Sequence, residues 1–215
     1  GGKTMGYITR LDAVNQMLIS SGENIVSDLE NQSGVDTSIA EFMLDQKIVD
    51  YQMRGLANNQ VNRKYKPTSN GEIELPNNTL SGWLTSHHVN EDNDKIRGVI
   101  NGNPPFLFNF TDNTSIWNTD EEYHVYLVLK LDWVDMDTSV QKAIIMQAAR
   151  EYQMMSQGDG NVDNYLAQLS LYYESQAKGS DNSQKKYNIF NGPEGSIVNA
   201  VNRQINTRSI RFPSV

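Results

Sequence analysis

The spacing of apolar residues changes twice along the chain, and this change constrains the fold more than any single motif. Residues 10–56 and 137–177 carry apolar side chains at the three- and four-residue intervals of amphipathic helices. Residues 60–134 between them are rich in Asn, Thr, Gly and Pro, and their short apolar runs are separated by turn signals. The sequence therefore predicts a helical core interrupted by a strand-rich insert.

Two helices are predicted before the insert. The first runs from Arg10 to Ser21, with Thr9 as its N-cap and Gly22 just past its C-terminus. The second lies within residues 35–56, where residues 36–38 offer caps and the pair at 54–55, Arg-Gly, suits a helix end. Its predicted buried stripe consists of Ile39, Phe42, Met43, Val49, Met53 and Leu56.

Four segments of the insert have the composition of strands: EIEL (72–75), IRGVI (96–100), FLFNF (106–110) and HVYLVLKLDW (124–133). In the last of these, Val125, Leu127, Leu129 and Leu131 share one face and the opposite face is mixed. This alternation is typical of a strand that is buried on one side.

Two further helices are predicted after the insert. Residues 137–139 can cap a helix with Ile144, Ala148, Tyr152 and Met155 on one face, and a turn at 156–161 precedes the next helix. The apolar residues of that helix are Val162, Tyr165, Leu166, Leu169, Tyr172 and Tyr173. From residue 178 onward Gly, Ser, Asn and Lys dominate, which predicts an extended arm with one short helix near 194–205.

These segments define an α+β fold. We predict a four-helix bundle core formed by residues 1–59 and 135–179, an inserted strand-rich antiparallel subdomain at residues 60–134, and an extended C-terminal docking arm at residues 180–215. The 215 residues are enough to bury a core without disulfides, and cysteine is absent. No run approaches the roughly 18 apolar residues of a membrane span, so we expect no membrane insertion.

Charge is distributed unevenly between the body and the C-terminal segment. The chain has a net charge of -8, residues 180–215 contribute +3, and the remainder therefore carries -11. The basic residues of this segment are Lys185, Lys186, Arg203, Arg208 and Arg211. The segment is either an arm that docks on a partner or a solvated tail, and an acidic body argues against a surface that grips nucleic acid.

Catalytic and metal-binding signatures are weak. The sequence has no GxGxxG, GxxxxGK[ST] or GxSxG motif, so we expect neither a cofactor nor an enzymatic nucleophile. Adjacent His87 and His88 point to different sides of any regular element, and His124 is the third histidine, so we expect no metal site. The stretch DGNVDN (159–164) lacks the Gly and Glu of a calcium loop, and we interpret it as a turn with Asn161 or Asp163 as a helix cap.

Residues 11–56 carry a resemblance to a known family. The shared features are Ala-Val-Asn at 13–15, Ser-Gly-Glu at 21–23, Val-Ser and Leu-Glu within 26–30, and Arg-Gly at 54–55. This pattern resembles the tail tubular protein A family, the head-to-tail adaptors of T7-like short-tailed bacteriophages. The resemblance resumes at 124–177 around AAREY (148–152) and covers about half the chain. The family usually has Trp after the Arg-Gly pair, whereas this chain has Leu56.

The resemblance implies a structural protein of the virion tail, at the head–tail junction, assembled in the host cytoplasm. Family members form a twelve-subunit ring, a dodecamer, below the portal, and the core of each subunit is a four-helix bundle. The implied partners are other copies of the chain, the portal protein, the tail nozzle protein (tail tubular protein B-like) and the tail fibre protein. Genomic DNA is expected to pass through the channel during ejection without specific binding.

Three functional hypotheses follow. The first is the adaptor, with interaction residues of the docking arm at Lys185, Lys186, Arg203, Arg208, Arg211 and Phe212. The second is another tail-completion or stopper protein built on the same bundle. The third is a hydrolase that uses an acidic site in the insert, with Asp112, Asp120 and Glu121 as its candidate residues.

Overall fold

The computed structural model describes residues 8–30, 34–84, 99–100, 102–110 and 112–184. The helices are α1 (Arg10–Ser20), α2 (Val35–Gln52), α3 (Thr138–Ser156) and α4 (Gly160–Gln184). The strands are β1 (Gln60–Tyr65), β2 (Thr79–Leu84), β3 (Val99–Ile100), β4 (Phe106–Leu107) and β5 (Tyr123–Leu129), and a 3-10 turn spans Trp133–Asp135. The predicted α+β class, with helices before and after an antiparallel sheet, is confirmed.

Helix α3 is the central element of the helical core. It packs against α1, α2 and α4, and its buried residues occupy most of its circumference. Small side chains, among them Ala13, Ala40, Ala143, Ala148 and Ala149, are buried where the helices approach one another. Larger ones such as Leu18, Leu44 and Ile144 fill the space between them, and each contributes roughly 1.5–3 kcal/mol by burial.

The predicted start and stop signals of α1 are confirmed. The Thr9 hydroxyl accepts a hydrogen bond from the Asp12 backbone N–H, and the Asp12 carboxylate accepts one from the Thr9 backbone N–H, which together form a capping box. At the other end Gly22 has φ 68°, and the Glu23 N–H donates to the Leu18 carbonyl at 3.0 Å. This Schellman motif ends the helix and turns the chain back across the bundle.

The buried face of α2 agrees only in part with the predicted stripe, of which Met43 and, just past the helix, Leu56 are buried. Phe42 is 63% exposed and Met53 is 52% exposed, whereas Ala40, Leu44 and Ile48 face the core. The N-cap is also different, because Gly34 occupies that position without a side-chain hydrogen bond. Helix α2 has apolar residues on two faces, so its periodicity identifies a helix without selecting the side that packs.

The insert has its own core. Strand β5 lies between β1 and β2 in an antiparallel sheet, and β3 pairs with β4 in a second, two-stranded sheet. The buried residues are Ile73, Leu75, Leu84, Leu107, Trp117, Tyr123, Val125 and Leu127. The Trp117 indole N–H donates to the Leu107 carbonyl at 2.9 Å, which satisfies the polar atom of this large buried ring.

The predicted strands are only partly correct in their bounds. Residues 72–75 form a single bridge from Glu74 to Phe106, and the strand predicted at 124–133 ends at Leu129 before the 3-10 turn. Strands β1 and β2 were not predicted. Their sequences, QVNRKY and TLSGWL, lack a clean apolar alternation, because β1 has no fully buried position and a glycine occupies a buried position of β2.

A buried amide joins the helical core to the insert. The Gln52 side chain is fully buried, its NH2 donates to the Leu131 carbonyl at 3.2 Å, and the Leu131 N–H donates to its oxygen at 2.6 Å. Buried Asn59 donates to the Gln52 backbone carbonyl at 3.0 Å and accepts from the Leu56 N–H at 2.6 Å. These hydrogen bonds join, at one place, the connection from α2 to the sheet and the connection from the sheet to α3.

Candidate assembly surfaces

A groove runs along α3, with α2 and α4 as its walls. Its volume is about 780 Å³. The apolar part of its lining consists of Met43, Met154, Met155, Ala167 and Leu171. Met155 and Leu171 are each 69% exposed, although the sequence predicts Met155 on the buried face of its helix. Methionine-lined grooves between helices adapt readily to an inserted side chain or helix.

The charged residues of this groove are paired with one another. Lys47 of α2 lies 2.5 Å from Glu151 of α3, and Arg150 of α3 forms a two-pronged ion pair with Asp163 of α4 at 2.6 and 3.1 Å. Arg54, just after α2, lies 3.1 Å from Glu174 of α4, and Lys178 lies 3.0 Å from the same carboxylate. The groove therefore presents apolar surface between charges that are already compensated.

Hydrogen bonds lower the pKa of two of these carboxyls. The pKa of Asp163 lies below its usual value because the Arg150 guanidinium donates to its carboxylate. The pKa of Glu174 is also lowered, chiefly by the hydrogen bond from Lys178, with a further contribution from Arg54. Both groups are ionised at neutral pH, and the ion pairs along the groove are complete there.

Few side chains of helix α4 are buried. Of its 25 residues, Leu166, Ser170 and Ala177 are buried, whereas Tyr165 is 62% exposed and Tyr172 is 56% exposed. The sequence suggests that the tyrosines of this helix belong to a core or to an interface, and the structure places these two on the surface. Neither tyrosine lines the groove, so α4 has two separate apolar sides.

The junction of α3 and α4 depends on one carboxylate. Asp137 is the predicted N-cap of α3 and accepts hydrogen bonds from the Ser139 N–H and hydroxyl at 2.8 and 2.6 Å. Its second oxygen accepts from the Ser180 hydroxyl at 3.1 Å and from the Gln184 amide at 3.3 Å. One side chain thus caps the start of α3 and holds the end of α4.

The pH dependence of stability follows from this capping carboxylate. Hydrogen bonds, first from Ser139 and then from Ser180 and Gln184, lower the pKa of Asp137 although partial burial opposes them. Because folding favours the ionised form, this stabilisation is complete above the ordinary pKa of about 4 and is lost as the pH falls through the lower folded value. We expect the Tm of the wild-type chain to decrease more steeply between about pH 5 and 3 than that of Asp137→Asn, which retains a capping oxygen but does not ionise. Parallel decreases in thermal melts would contradict this assignment.

The hydrolase candidates make hydrogen bonds with neighbouring residues in turns of the insert. The Asp112 carboxylate accepts from the Asn109 amide at 2.8 Å, and Glu121 accepts from the Asn118 amide at 2.8 Å. The Asp120 backbone N–H donates to the Asn118 side chain at 3.1 Å. All three acids are exposed and belong to the local hydrogen bonding of turns.

Metal-ligand candidates give a similar result. Across the described ranges, no group of three His, Asp or Glu side chains has a geometry that could hold a metal ion. In the DGNVDN stretch the cap of α4 is Asp159, which accepts from the Asn161 N–H at 2.8 Å, so the prediction of Asn161 or Asp163 as the cap is wrong. Asp163 instead pairs with Arg150. His87 and His88 lie outside the described residues.

Helix α4 continues to Gln184, five residues into the segment predicted as an extended arm. Hydrogen bonds from its last turns to Asp137 and from the Ala57 N–H to Asp181 stabilise this extension. The interaction residues predicted in the arm are Lys185, Lys186, Arg203, Arg208, Arg211 and Phe212. All six lie outside the described residues.

The sequence that forms the bundle and its inserted antiparallel sheet matches a known family. The family model described as "Tail tubular protein" matches residues 11–187, about four fifths of the chain. The chain belongs to the tail tubular protein family. No individually curated protein matches the chain. The match confirms the resemblance given by residues 11–56, and it also extends through the insert, where the sequence motifs alone gave no resemblance.

Membership of the tail tubular protein family makes this chain a structural component of the bacteriophage virion tail. Proteins of this family are in general structural and not enzymes, and their partners are other components of the tail assembly. In the part of the chain that the structure describes, no helix has both the length and the apolarity to cross a membrane. Because the partners of this family are other tail components, the surfaces of interest are those that can contact other protein subunits.

Proposed function

We propose that this tail tubular protein is a head-to-tail adaptor. In this role twelve copies form a ring that joins the portal to the tail nozzle, continues the channel for DNA ejection and provides a seat for tail fibres. Assembly takes place in the host cytoplasm. The observation that carries the proposal is the family match over residues 11–187, which spans the bundle and the insert together.

Two physical features support an assembly role at a DNA channel. The exposed apolar sides of α4 and the groove beside it are surfaces that a subunit contact would remove from water. Residues 1–179 carry a net charge of -11, and acidic walls repel phosphate. A channel of this kind lets DNA pass without holding it.

The C-terminal segment is the proposed docking arm, which binds the portal or a neighbouring subunit. Residues 185–215 contain five basic residues and one acidic residue, so they carry a net charge of +4 on an otherwise acidic chain. The basic residues are Lys185, Lys186, Arg203, Arg208 and Arg211, and Phe212 is an apolar anchor next to the last of them. The segment begins where α4 is held by Asp137, at the end of the bundle from which the insert leaves.

The test combines native mass spectrometry and negative-stain imaging of the chain, alone and mixed with the portal of the same phage. We expect a ring that forms alone or on the portal, and we expect deletion of residues 185–215 to reduce portal binding or ring formation at least tenfold. The matched control is an Asp92→Asn, Asp94→Asn variant, which changes charge within the insert and keeps the segment intact. A monomer indifferent to the portal would overturn the adaptor role and favour a different tail-completion protein. Undiminished portal binding and ring formation by the deletion variant would overturn the docking arm alone.

A further inference from the structure

Helix α4 has a side that is composed for contact with protein. Tyr165, Leu169, Tyr172 and Gln176 recur at intervals of four, three and four residues, which places them in one line along the helix. We call this line the ridge. With 100° per residue, it lies on the side of α4 opposite the groove residues Asp163, Ala167 and Glu174.

The ridge side of α4 has no charged residue. Its other positions, 161, 168, 175 and 179, are Asn, Gln, Ser and Gly. The charged residues of this part of the helix, Asp163, Glu174, Lys178 and Asp181, are on the inner or groove side. A helix side exposed to water normally carries charges, whereas aromatic enrichment with loss of charge is the composition of an interface core.

The groove complements this ridge in chemistry. Met154, Met155 and Leu171 are exposed apolar side chains, and the charges beside them form ion pairs within the same subunit. An uncharged ridge that inserts between these side chains would leave every ion pair of the groove intact. It would therefore avoid the main energetic penalty, which is the burial of a charge without its partner. Tyrosine supplies large contact area at little cost in side-chain entropy.

We propose that the ridge of one subunit inserts into the α2–α3–α4 groove of a neighbouring copy of the same chain. The contact is heterologous, because it joins two different surfaces. When two copies pair, one of them retains a free groove and the other retains a free ridge, so the pair can bind further copies. Heterologous contacts generate rings when the rotation between subunits closes. The inference rests on the proposed ring and assigns its lateral interface.

The first test uses two variants that each break one half of the contact. The ridge variant is Tyr165→Ser, Tyr172→Ser, and the groove variant is Met155→Glu, Leu171→Glu. All four positions are exposed, so circular dichroism should report wild-type folds. We expect each variant alone to remain monomeric at concentrations tenfold above those at which the wild type assembles. Tyr165→Phe, Tyr172→Phe should assemble normally, and so should the control Ile19→Ser, at a site 60% exposed on α1.

Mixing the two broken variants distinguishes the geometry. The groove variant retains an intact ridge and the ridge variant retains an intact groove, so the mixture should form heterodimers and nothing larger. A symmetric ridge-to-ridge contact would instead let the groove variant, whose ridge is intact, form homodimers both alone and in the mixture. That result would overturn the inference.

Cross-linking identifies the occupant of the groove. The chain has no cysteine, so Met155→Cys and Tyr172→Cys can be introduced singly on an otherwise thiol-free background. With a short bismaleimide, we expect a covalent dimer from the mixture and none from either variant alone. A cross-link between Met155→Cys and Phe212→Cys that excludes Tyr172→Cys would show the C-terminal segment in the groove and overturn the proposal.

The outcomes separate this inference from the adaptor role. A ring that forms with wild-type chains and persists in the ridge and groove variants would overturn the lateral contact and leave the adaptor intact. A wild-type chain that forms no ring, alone or on the portal, would overturn both.

Discussion

Replacement of Gln52 by alanine should destabilise the chain by about 3 kcal/mol and loosen the insert from the bundle. The Gln52 side chain is fully buried and makes paired hydrogen bonds with the N–H and carbonyl of Leu131. Its removal leaves two backbone groups without their partner, at about 1–3 kcal/mol for each buried unsatisfied group. The free energy of unfolding from urea titration measures the loss, and hydrogen exchange at the β5 amides measures the loosening.

The matched control for this prediction is Gln46→Ala on the same helix. Gln46 is exposed, so its truncation should change the free energy of unfolding by less than about 0.5 kcal/mol. Equal effects at positions 46 and 52 would mean that the amide of Gln52 does not join the bundle to the sheet. An effect on global stability without faster exchange in β5 would mean that Gln52 stabilises α2 alone.

Replacement of Ile144 by alanine should cost about 2–5 kcal/mol and shift the whole bundle transition to lower denaturant. Ile144 has no exposed surface and lies on α3, which contacts all three of the other helices. Large-to-small substitutions in a core lose both the burial of the deleted atoms and the contacts that surrounded them. The upper part of the range applies if α1 and α2 cannot move inward, because buried alanines already bring the helices close together.

An isoleucine on the surface provides the comparison. Ile19→Ala, on α1, removes the same atoms from a side chain that is 60% exposed, and should change the free energy of unfolding by less than about 0.5 kcal/mol. Thermal melts of the two variants should therefore differ clearly at equal concentration. Similar melting temperatures would mean that α3 is not the central element of the core.

Local signals in the sequence predicted the parts of the fold that depend on local chemistry. Thr9 and Gly22 predicted the ends of α1, because a capping hydroxyl and a positive φ are properties of one or two residues. Asp137 predicted the start of α3 for the same reason. The alternation in β5 predicted a strand because β5 is the central strand of its sheet and packs one side on the insert core.

The features that the sequence did not predict depend on which neighbour an element acquires. Phe42 and Ala40 both lie on apolar faces of α2, and the placement of the neighbouring helices decides that Ala40 is buried and Phe42 is exposed. The groove required three helices to be placed together, so no single segment indicated it. A signal for the ridge was present in the uncharged four-three-four spacing from Tyr165 to Gln176, but a core and an interface share that spacing.

The last turns of α4 form a segment that can unwind and lengthen the connection between the bundle and the residues beyond Gln184. Residues 179–184, Gly-Ser-Asp-Asn-Ser-Gln, are mostly poor helix formers, and their helix depends on hydrogen bonds with Asp137 and Ala57. A pulling force on the chain beyond Gln184 would break these few hydrogen bonds before it acted on Leu166 or any other buried residue of α4. Each residue released would change from a rise of about 1.5 Å to one of about 3.4 Å, so the tether could lengthen by roughly 10 Å while the bundle stayed intact.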